Sequence, residues 1–165
     1  MAYSGKYTPE SSSKYSGDYT KIVYRSMWEK YAFMWCDTSS HITKWSSEEV
    51  VVPYYWDVDK KYHRYFVDLK ITYNTGKTIL VEIKPDKETK LPLKPDRSKR
   101  YISEAMTYVK NQNKWKAAES YAKDRNWEFQ IWTEHTLEAM GIKPKDIKGM
   151  KPLKPLKPLR AKKKK

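Results

Sequence analysis

The feature that most constrains the fold is a pair of alternating segments, residues 63–73 and 77–84, joined by Asn-Thr-Gly at 74–76. Both segments are rich in β-branched and aromatic residues, which favours β-strands. A three-residue loop that ends in glycine is a common hairpin connection, because its last position adopts a positive φ. The sequence therefore predicts a β-hairpin over these residues.

The turn also predicts a register for this hairpin. If Tyr73 pairs with Lys77, the antiparallel pairing places Asp68 directly opposite Glu82. Lys84 lies two residues beyond Glu82 and therefore shares its face. A slip of one residue would move Asp68 to the other face, so the register decides whether these charged groups meet.

The apolar residues of the hairpin support the same register independently of the turn. They form one stripe in each strand: Val67, Leu69, Ile71 and Tyr73 in the first, and Ile79, Val81 and Ile83 in the second. Both stripes face one core only if Asp68 and Glu82 share the opposite face.

Two carboxylates in this arrangement indicate a cation site. Directly opposed side chains lie roughly 5 Å apart at Cβ, where like charges destabilise a sheet. A hard divalent ion such as Mg²⁺ takes oxygen ligands of this kind, and a neighbouring lysine can orient or deprotonate an attacking water. This is the chemistry of phosphodiester hydrolysis. The alternative, equally compatible with the pattern alone, is a half-solvated hairpin whose charges lie on its wet face.

Length and composition indicate one globular domain with extensions. Of 165 residues, 39% are hydrophobic and 15% aromatic, and about 120 residues suffice for an independent core. We assign residues 20–140 to the folded domain and residues 1–19 to an extended arm ordered by tyrosine packing. Residues 141–165 form a basic tail with three Lys-Pro-Leu units and a terminal run of lysines. Regular proline keeps such a segment extended and flexible.

The net charge of +14 favours a polyanionic partner, and nucleic acid is the default expectation. The last fifteen residues hold +8 of this charge, which leaves +6 on residues 1–150. We expect the tail to contact nucleic-acid phosphates rather than to act only as a solubilising extension. Its candidate phosphate-binding residues are Lys154, Lys157, Arg160, Lys162 and Lys163.

Several classes of protein are disfavoured by what the sequence lacks. No run of 18 apolar residues is present, so we expect no membrane span, and the N-terminus has no apolar signal core. The single cysteine, Cys36, excludes an internal disulfide and a thiolate zinc site. The three histidines show no metal-ligand spacing, and no motif for a small-molecule cofactor occurs.

The rest of the chain predicts helices on both sides of the hairpin. Ser26 to Glu29 fits a capping box that opens a helix ending near Cys36. Further elements are predicted as follows: a strand at 50–54, a Pro- and Lys-rich loop at 85–99, a helix from Ser98 that is interrupted at 111–113 and resumes to Ala122, a strand at 127–132 and a short helix at 134–140. The order helix, three strands, helix, strand predicts an α/β fold with a mixed sheet flanked by helices.

Asp68, followed by Glu82-Ile83-Lys84, resembles the signature of the PD-(D/E)xK nucleases, whose restriction-endonuclease-like core has the same αβββαβ order. Four wider segments, 24–29, 45–54, 63–68 and 81–85, look like the head-completion nucleases of T-even-type tailed phages, a family similar to the TnsA transposon endonucleases. The resemblance covers residues 3–140, and the basic tail lies outside it. The family usually has proline before the aspartate, where this chain has Val67, and that residue is not a ligand.

The resemblance implies an active site of four residues. Asp68 and Glu82 would bind Mg²⁺, with Mn²⁺ as a substitute, and Glu29 would complete the metal site from the first helix. Lys84 would orient or activate the water and offset charge in the transition state. The alternative role of Glu29 is in the capping box, and Glu49 is a weaker candidate ligand.

Contacts with DNA are implied less directly. Arg64, Tyr65 and Gln112 are candidates for binding the phosphate or positioning the scissile strand. For Tyr65, packing is the competing role. For Arg25, we expect an ordinary surface position at the start of the helix.

The function that the resemblance implies is a Mg²⁺-dependent DNA endonuclease that processes packaged DNA in phage head completion and head–tail joining. Double-stranded DNA would be the substrate, with portal or neck proteins as candidate partners. The expected locations are the host cytoplasm during assembly and the head–neck region of the virion. Two alternatives stay open: a structural neck or portal-associated protein that grips DNA with a catalytically silent nuclease fold, and a basic RNA- or DNA-binding protein unrelated to phage assembly.

Overall fold

The computed structural model describes residues 4–93 and 98–142. In this part of the chain the α-helices are α1 (Met27–Thr38), α2 (Lys99–Asp124) and α3 (Glu134–Ala139). The strands are β1 (Gly5–Lys6), β2 (Val23–Tyr24), β3 (Ile42–Ser46), β4 (Val51–Trp56), β5 (Lys61–Phe66), β6 (Leu69–Tyr73), β7 (Thr78–Ile83) and β8 (Glu128–Trp132). The predicted tail contacts Lys154, Lys157, Arg160, Lys162 and Lys163 lie outside the described residues.

The central sheet has four strands in the order β3-β6-β7-β8. β6 pairs antiparallel with β3 and with β7, whereas β8 runs parallel to β7, to which α2 connects it. Around this sheet the chain order is α1, β3, β6, β7, α2, β8. This order confirms the predicted αβββαβ core of a mixed α/β fold.

One strand of the prediction was assigned to the wrong segment. The first strand of the core is β3, which we did not predict, and the predicted strand at 50–54 is β4 of a separate two-stranded ribbon with β5. In β3 a bulge falls between Ile42 and Lys44, so the simple alternation that marks a strand in the sequence is lost. Pro53 is tolerated in β4 because both strands of a two-stranded ribbon are edge strands.

The register predicted for the hairpin is confirmed. Ile71 of β6 pairs with Ile79 of β7, and Gly76 closes the turn with a φ of 87°. The pairing ends at Leu69 and Val81, so Asp68 lies one residue before the paired part of β6 and Glu82 one residue after the part of β7 that pairs with β6.

The first strand of the hairpin does not run continuously over residues 63–73, in contrast to the prediction. The chain leaves β5 at Phe66 and enters β6 at Leu69, so Val67 and Asp68 lie at the break between ribbon and sheet. Val67 is therefore buried in the core on the α2 side of the sheet, whereas Leu69 faces the core on the α1 side. The alternation of faces cannot be extrapolated across such a break.

Two hydrophobic cores lie on opposite faces of the sheet. On one face α1, α3 and the N-terminal arm pack around Phe33 and Trp45, and on the other α2 and the ribbon pack around Leu80 and Trp115. Every residue of β7 is buried because both faces of this strand are covered. On the charged face of the hairpin Glu82 is therefore buried, whereas Asp68, Lys70 and Lys84 are only partly buried.

α2 is one continuous helix of 26 residues, so the predicted interruption at 111–113 was wrong. Asn111 is buried on the same face as Trp115, Ala118 and Ala122. The low helix propensity of asparagine costs less than about 1 kcal/mol per residue, and the packing of this face outweighs that cost.

The N-terminal arm packs against the domain instead of extending away from it. β1 pairs with β2, and the rings of Tyr7 and Tyr15 both meet Trp45 edge-on. The tyrosine packing predicted for residues 1–19 is therefore present. No helix in the described ranges combines the length and the apolar character that crossing a membrane requires.

Candidate active site

Four structural elements meet at the point where the ribbon joins the sheet. Asp68 lies at the break between β5 and β6, Glu82 near the end of β7, Lys84 just after it, and Glu29 in the first turn of α1. The charges of Glu82, Glu29 and Lys84 all act on Asp68. The structure thus brings together the four residues that the sequence resemblance implied for the site.

The end of β7 holds Asp68 in place. Its Oδ2 accepts a hydrogen bond from the backbone N–H of Ile83 at 2.8 Å. Burial, followed by the negative charges of Glu82 and Glu29, raises the pKa of Asp68 well above its usual range. The local field therefore favours a positive charge beside this carboxylate.

Glu29 is only 6% exposed, and its carboxylate is directed by the start of α1. Ser26 caps the helix as predicted, accepting the Glu29 N–H at 3.1 Å. The Glu29 Oε2, however, accepts from the N–H of Arg25 at 2.8 Å, so the predicted reciprocal capping box with Ser26 does not form. Burial raises the pKa of Glu29 to about 7, and the charges of Glu48 and Glu82 add to the effect.

Glu82 is buried on β7 and is oriented by Tyr65 of the ribbon. The Tyr65 hydroxyl donates a hydrogen bond to Glu82 Oε2, and Lys84 Nζ lies 3.7 Å from Glu82 Oε1. Burial, and then the charges of Glu82 and Asp68, raise the pKa of Tyr65, so the phenol remains a hydrogen-bond donor. Tyr65 is therefore placed to orient a site carboxylate. Its ring is buried, in agreement with the packing role considered for it.

The three carboxylates share one pattern of hydrogen bonding. One oxygen of each is oriented by the protein: by the Arg25 N–H at Glu29, by the Tyr65 hydroxyl at Glu82 and by the Ile83 N–H at Asp68. The second oxygen of each accepts no hydrogen bond from the described part of the chain. The second oxygen of Glu82 has the Lys84 ammonium 3.7 Å away. Hard oxygen donors that are oriented in this way and accept no hydrogen bond from the described residues fit a hard divalent cation such as Mg²⁺ or Mn²⁺.

A tighter acidic group lies outside this site. Among the described residues, Asp86, Glu134 and His135 place ligand atoms within 4.8 Å of one another, a spacing that the three site carboxylates do not reach. The Asp86 N–H donates to Glu134 Oε1 at 2.9 Å. This contact joins the loop after β7 to the start of α3, which accounts for the grouping without a ligand.

Arg25 is an exposed residue at the start of α1, as predicted, and it lies beside the site. Its guanidinium binds Glu48 through Nε at 2.8 Å and Nη2 at 3.2 Å. This pairing raises the pKa of Arg25, and the charges of Glu29 and Asp68 act in the same direction. Glu48 has a φ of 55°, a left-handed conformation that is uncommon for a residue other than glycine.

The remaining candidates have other surroundings. Glu49 accepts a hydrogen bond from the Tyr15 hydroxyl at 3.3 Å, which links it to the N-terminal arm. Arg64 is exposed on the outer face of β5, with its guanidinium 5.7 Å from the centre of the Phe66 ring. Neighbouring residues of a strand point to opposite faces, so Tyr65 and Arg64 cannot both face the carboxylates. Gln112 is partly buried on α2.

Lys114 of α2 is a residue near the site that the sequence did not reveal. Its ammonium group lies 5.7 Å from the centre of the Tyr65 ring. Burial lowers the pKa of Lys114, and the charges of Glu82 and Lys84 act on it. The predicted interruption at 111–113 concealed this position, because only in a continuous helix does Lys114 border the buried face of Asn111 and Trp115.

Comparison with known proteins gives this site a family. The family model for the N-terminal domain of TnsA-like endonucleases matches residues 39–134, more than half of the chain. The chain belongs to the TnsA-like endonuclease family. The head completion nuclease of Enterobacteria phage T4 is 45% identical over 148 residues, which cover 87% of this chain and 99% of that protein. No solved structure matches the chain with significance.

The two matches together cover all four site residues of this TnsA-like endonuclease. The family model covers Asp68, Glu82 and Lys84, which lie within residues 39–134, but not Glu29, which precedes that range. The stretch shared with the T4 protein covers 87% of 165 residues and therefore includes Glu29 wherever it begins.

Proposed function

We propose that this TnsA-like endonuclease hydrolyses DNA phosphodiester bonds with a divalent metal ion at the site formed by Glu29, Asp68, Glu82 and Lys84. The observation that carries the proposal is the convergence of three carboxylates, each with one oxygen oriented by a hydrogen bond and a second that accepts no hydrogen bond from the described residues. The family match, which names an endonuclease domain, supports this chemistry.

The acidic residues of the site would hold Mg²⁺ or, in its place, Mn²⁺. Asp68 and Glu82 are the proposed ligands, and Glu29 completes the set from α1. Such an ion supplies Lewis-acid stabilisation of the charge on the phosphate. The hydrogen bonds from Ile83 and Tyr65 keep the two ligand carboxylates in one orientation, which reduces the reorganisation needed when the substrate binds.

Lys84 acts on the reacting groups themselves. Its ammonium group lies 3.7 Å from Glu82 Oε1, so it sits at the edge of the carboxylate group with its donors directed by that charge. From there it orients the attacking water and offsets the negative charge that builds up around phosphorus in the transition state.

The biological setting follows from the T4 relative, which is named a head completion nuclease. We extend the proposal to processing of packaged double-stranded DNA before head–tail joining. Portal or neck proteins are the proposed partners, in the host cytoplasm during assembly and at the head–neck region of the virion. The net charge of +14 would hold the DNA backbone without reading bases, so we expect weak sequence preference.

The proposed DNA contacts lie around and beyond the site. Arg64 on the ribbon, Gln112 on α2 and the lysines and arginine of the tail are assigned to the phosphate backbone. Tyr65 is assigned to Glu82, because its hydroxyl is already engaged there.

The test is cleavage of linear and covalently closed circular duplex DNA, with Mg²⁺ and with EDTA, by the wild-type protein and an Asp68→Ala variant. Asp86→Ala is the matched control, since it removes an acidic residue from the other group. We expect cutting of both substrates that needs the metal and Asp68 but not Asp86.

Two results would contradict the proposal. Cleavage that survives Asp68→Ala would place the chemistry elsewhere. Binding without cleavage under Mg²⁺ and Mn²⁺ would instead support a structural protein that grips DNA at the neck or portal with a silent nuclease fold.

A further inference from the structure

Two lysines of α2 lie over aromatic rings of the β4–β5 ribbon. The Lys110 ammonium is 5.8 Å from the centre of the Trp56 ring. The Lys114 ammonium is 5.8 Å from the Tyr54 ring and 5.7 Å from the Tyr65 ring. The two lysines are one helical turn apart, so they share one side of α2, and both are partly buried.

Neither lysine has an anionic partner close by. No aspartate or glutamate of the described chain lies within 4.0 Å of either ammonium group, although six other lysine and arginine side chains form such pairs. Burial lowers the pKa of Lys114; the more distant charges of Glu82 and Asp68 oppose that shift, whereas those of Lys84 and Lys110 add to it. Partly buried cations with no anion in direct contact are costly to the folded protein, and a bound anion would offset that cost.

The position of this lysine pair identifies the anion. Lys114 lies over Tyr65, and the hydroxyl of Tyr65 reaches Glu82 in the candidate active site. The positive groups therefore continue outward from Lys84 to Lys114 and then to Lys110 along α2. Aromatic rings beneath the two lysine side chains support them without offering a competing charge.

We propose that Lys114 and Lys110 bind successive phosphates of the cleaved strand, on one side of the scissile bond, and thereby position that strand over the carboxylates. The inference rests on the proposed function, because it takes the substrate of that site to be DNA. Contact with phosphates alone carries no base information, so the pair positions the backbone and leaves sequence preference unaffected.

The first test measures DNA binding without cleavage. Binding of a short fluorescent duplex is followed by anisotropy in EDTA at several salt concentrations, for the wild type and for Lys114→Met, Lys110→Met and the double variant. Lys116→Met is the matched control, since Lys116 is exposed on the same helix. Methionine keeps the apolar stem of the side chain and removes the charge.

Each lost phosphate contact lowers the slope of log K against log salt by about 0.9. We expect Lys114→Met and Lys110→Met each to lower the slope by about one, the double variant by about two, and Lys116→Met by clearly less. Lys114→Arg should retain the slope, because the charge is kept. Slopes for both methionine variants equal to that of Lys116→Met would overturn the proposal.

A second test uses the wild-type protein and does not depend on any variant folding. Lysines are acetylated with and without duplex DNA, and the modification of each is measured by mass spectrometry. We expect DNA to protect Lys110 and Lys114 but not Lys116. Equal protection of all three would also overturn the proposal.

The outcomes separate this inference from the proposed function. Slopes that depend on Lys110 and Lys114 in a protein that cuts no DNA with any metal would refute the nuclease and leave the phosphate contacts standing. Cutting that depends on Asp68, with salt slopes unaffected by the two lysine substitutions, would support the nuclease and refute the phosphate contacts of Lys110 and Lys114. In a cutting protein, Lys114→Met should lower kcat/KM about tenfold, because the cleaved strand is no longer held over the carboxylates, and Lys116→Met should not.

Discussion

Asp37 is buried and Asp68 partly buried, yet the two carboxylates are hydrogen-bonded in opposite ways. Asp37, near the end of α1, accepts three hydrogen bonds: from the Tyr7 hydroxyl at 2.9 Å and from the N–H groups of Glu10 at 2.7 Å and Ser11 at 3.0 Å. Both of its oxygens are used. The carboxylate thereby ties the N-terminal arm to the domain.

Asp68 receives fewer hydrogen bonds from the chain than Asp37 does. It accepts one hydrogen bond, from the Ile83 N–H, and the charges of Glu82 and Glu29 oppose its ionisation. A carboxylate with all partners supplied contributes to folding, whereas one left among like charges opposes folding and is available to a ligand. Burial alone therefore does not distinguish a structural carboxylate from a functional one, but the count of its donors does.

The largest expected effect is at Asp68. We expect Asp68→Asn to lower the rate of DNA cleavage by roughly a thousandfold or more, because a group of the proposed reaction centre is lost. In EDTA its free energy of unfolding should be unchanged or higher, because one of three like charges is removed. Cleavage rates and urea unfolding measure the two quantities. A lower free energy of unfolding for Asp68→Asn would contradict this and give Asp68 a role in folding like that of Asp37.

At Asp37 the pattern should be reversed. We expect Asp37→Ala to lower the free energy of unfolding by about 3 kcal/mol, because three donors lose a charged acceptor. The folded fraction should still cut DNA at the wild-type rate. Urea unfolding beside an Asp57→Ala control, at an exposed turn residue, checks the first point. Full stability with lost cleavage would refute the assignment of Asp37 to folding.

The incomplete carboxylates should also make stability depend on pH. Burial raises the pKa of Glu29 from 4.5 to about 7, so the folded protein binds a proton that the unfolded chain releases at lower pH. Stability is thus fully present below about pH 4.5 and is lost as pH rises through 7, by roughly 3 kcal/mol in EDTA. Unfolding of the wild type and of Glu29→Gln between pH 4.5 and 8 tests this. An equal slope in both proteins would contradict it.

The smallest expected effects come from two tyrosines that each donate to one of the compared regions. Tyr65→Phe removes the donor to Glu82, and we expect cleavage about tenfold slower, because Glu82 loses its orientation. Tyr7→Phe removes the donor to Asp37, and we expect about 1 kcal/mol less stability with cleavage unchanged. Measuring both quantities for both variants completes the comparison. If Tyr65→Phe and Tyr7→Phe slowed cleavage equally, the distinction between a functional Asp68 site and a structural Asp37 site would be refuted.

Local patterns accounted for most of what could be predicted. The hairpin register followed from the turn and the alternation, both of which are properties of neighbouring residues. β3 was missed because a bulge breaks its alternation, and α2 was divided because two asparagines of low helix propensity outweighed a buried face that only packing reveals. The same error hid Lys114.

The sequence by itself determined the hairpin and its register, and thereby brought Asp68, Glu82 and Lys84 near one another, because pairing distances within a hairpin are short and follow from alternation. It also predicted the αβββαβ order, but with the first strand in the wrong segment. Only the tertiary structure decided that Glu29 from α1 and Lys114 from α2 reach the same place from opposite faces of the sheet. It also decided that Tyr65 contacts Glu82 while Arg64 faces outward. These positions depend on how helices and ribbon pack across the sheet, which no local pattern encodes.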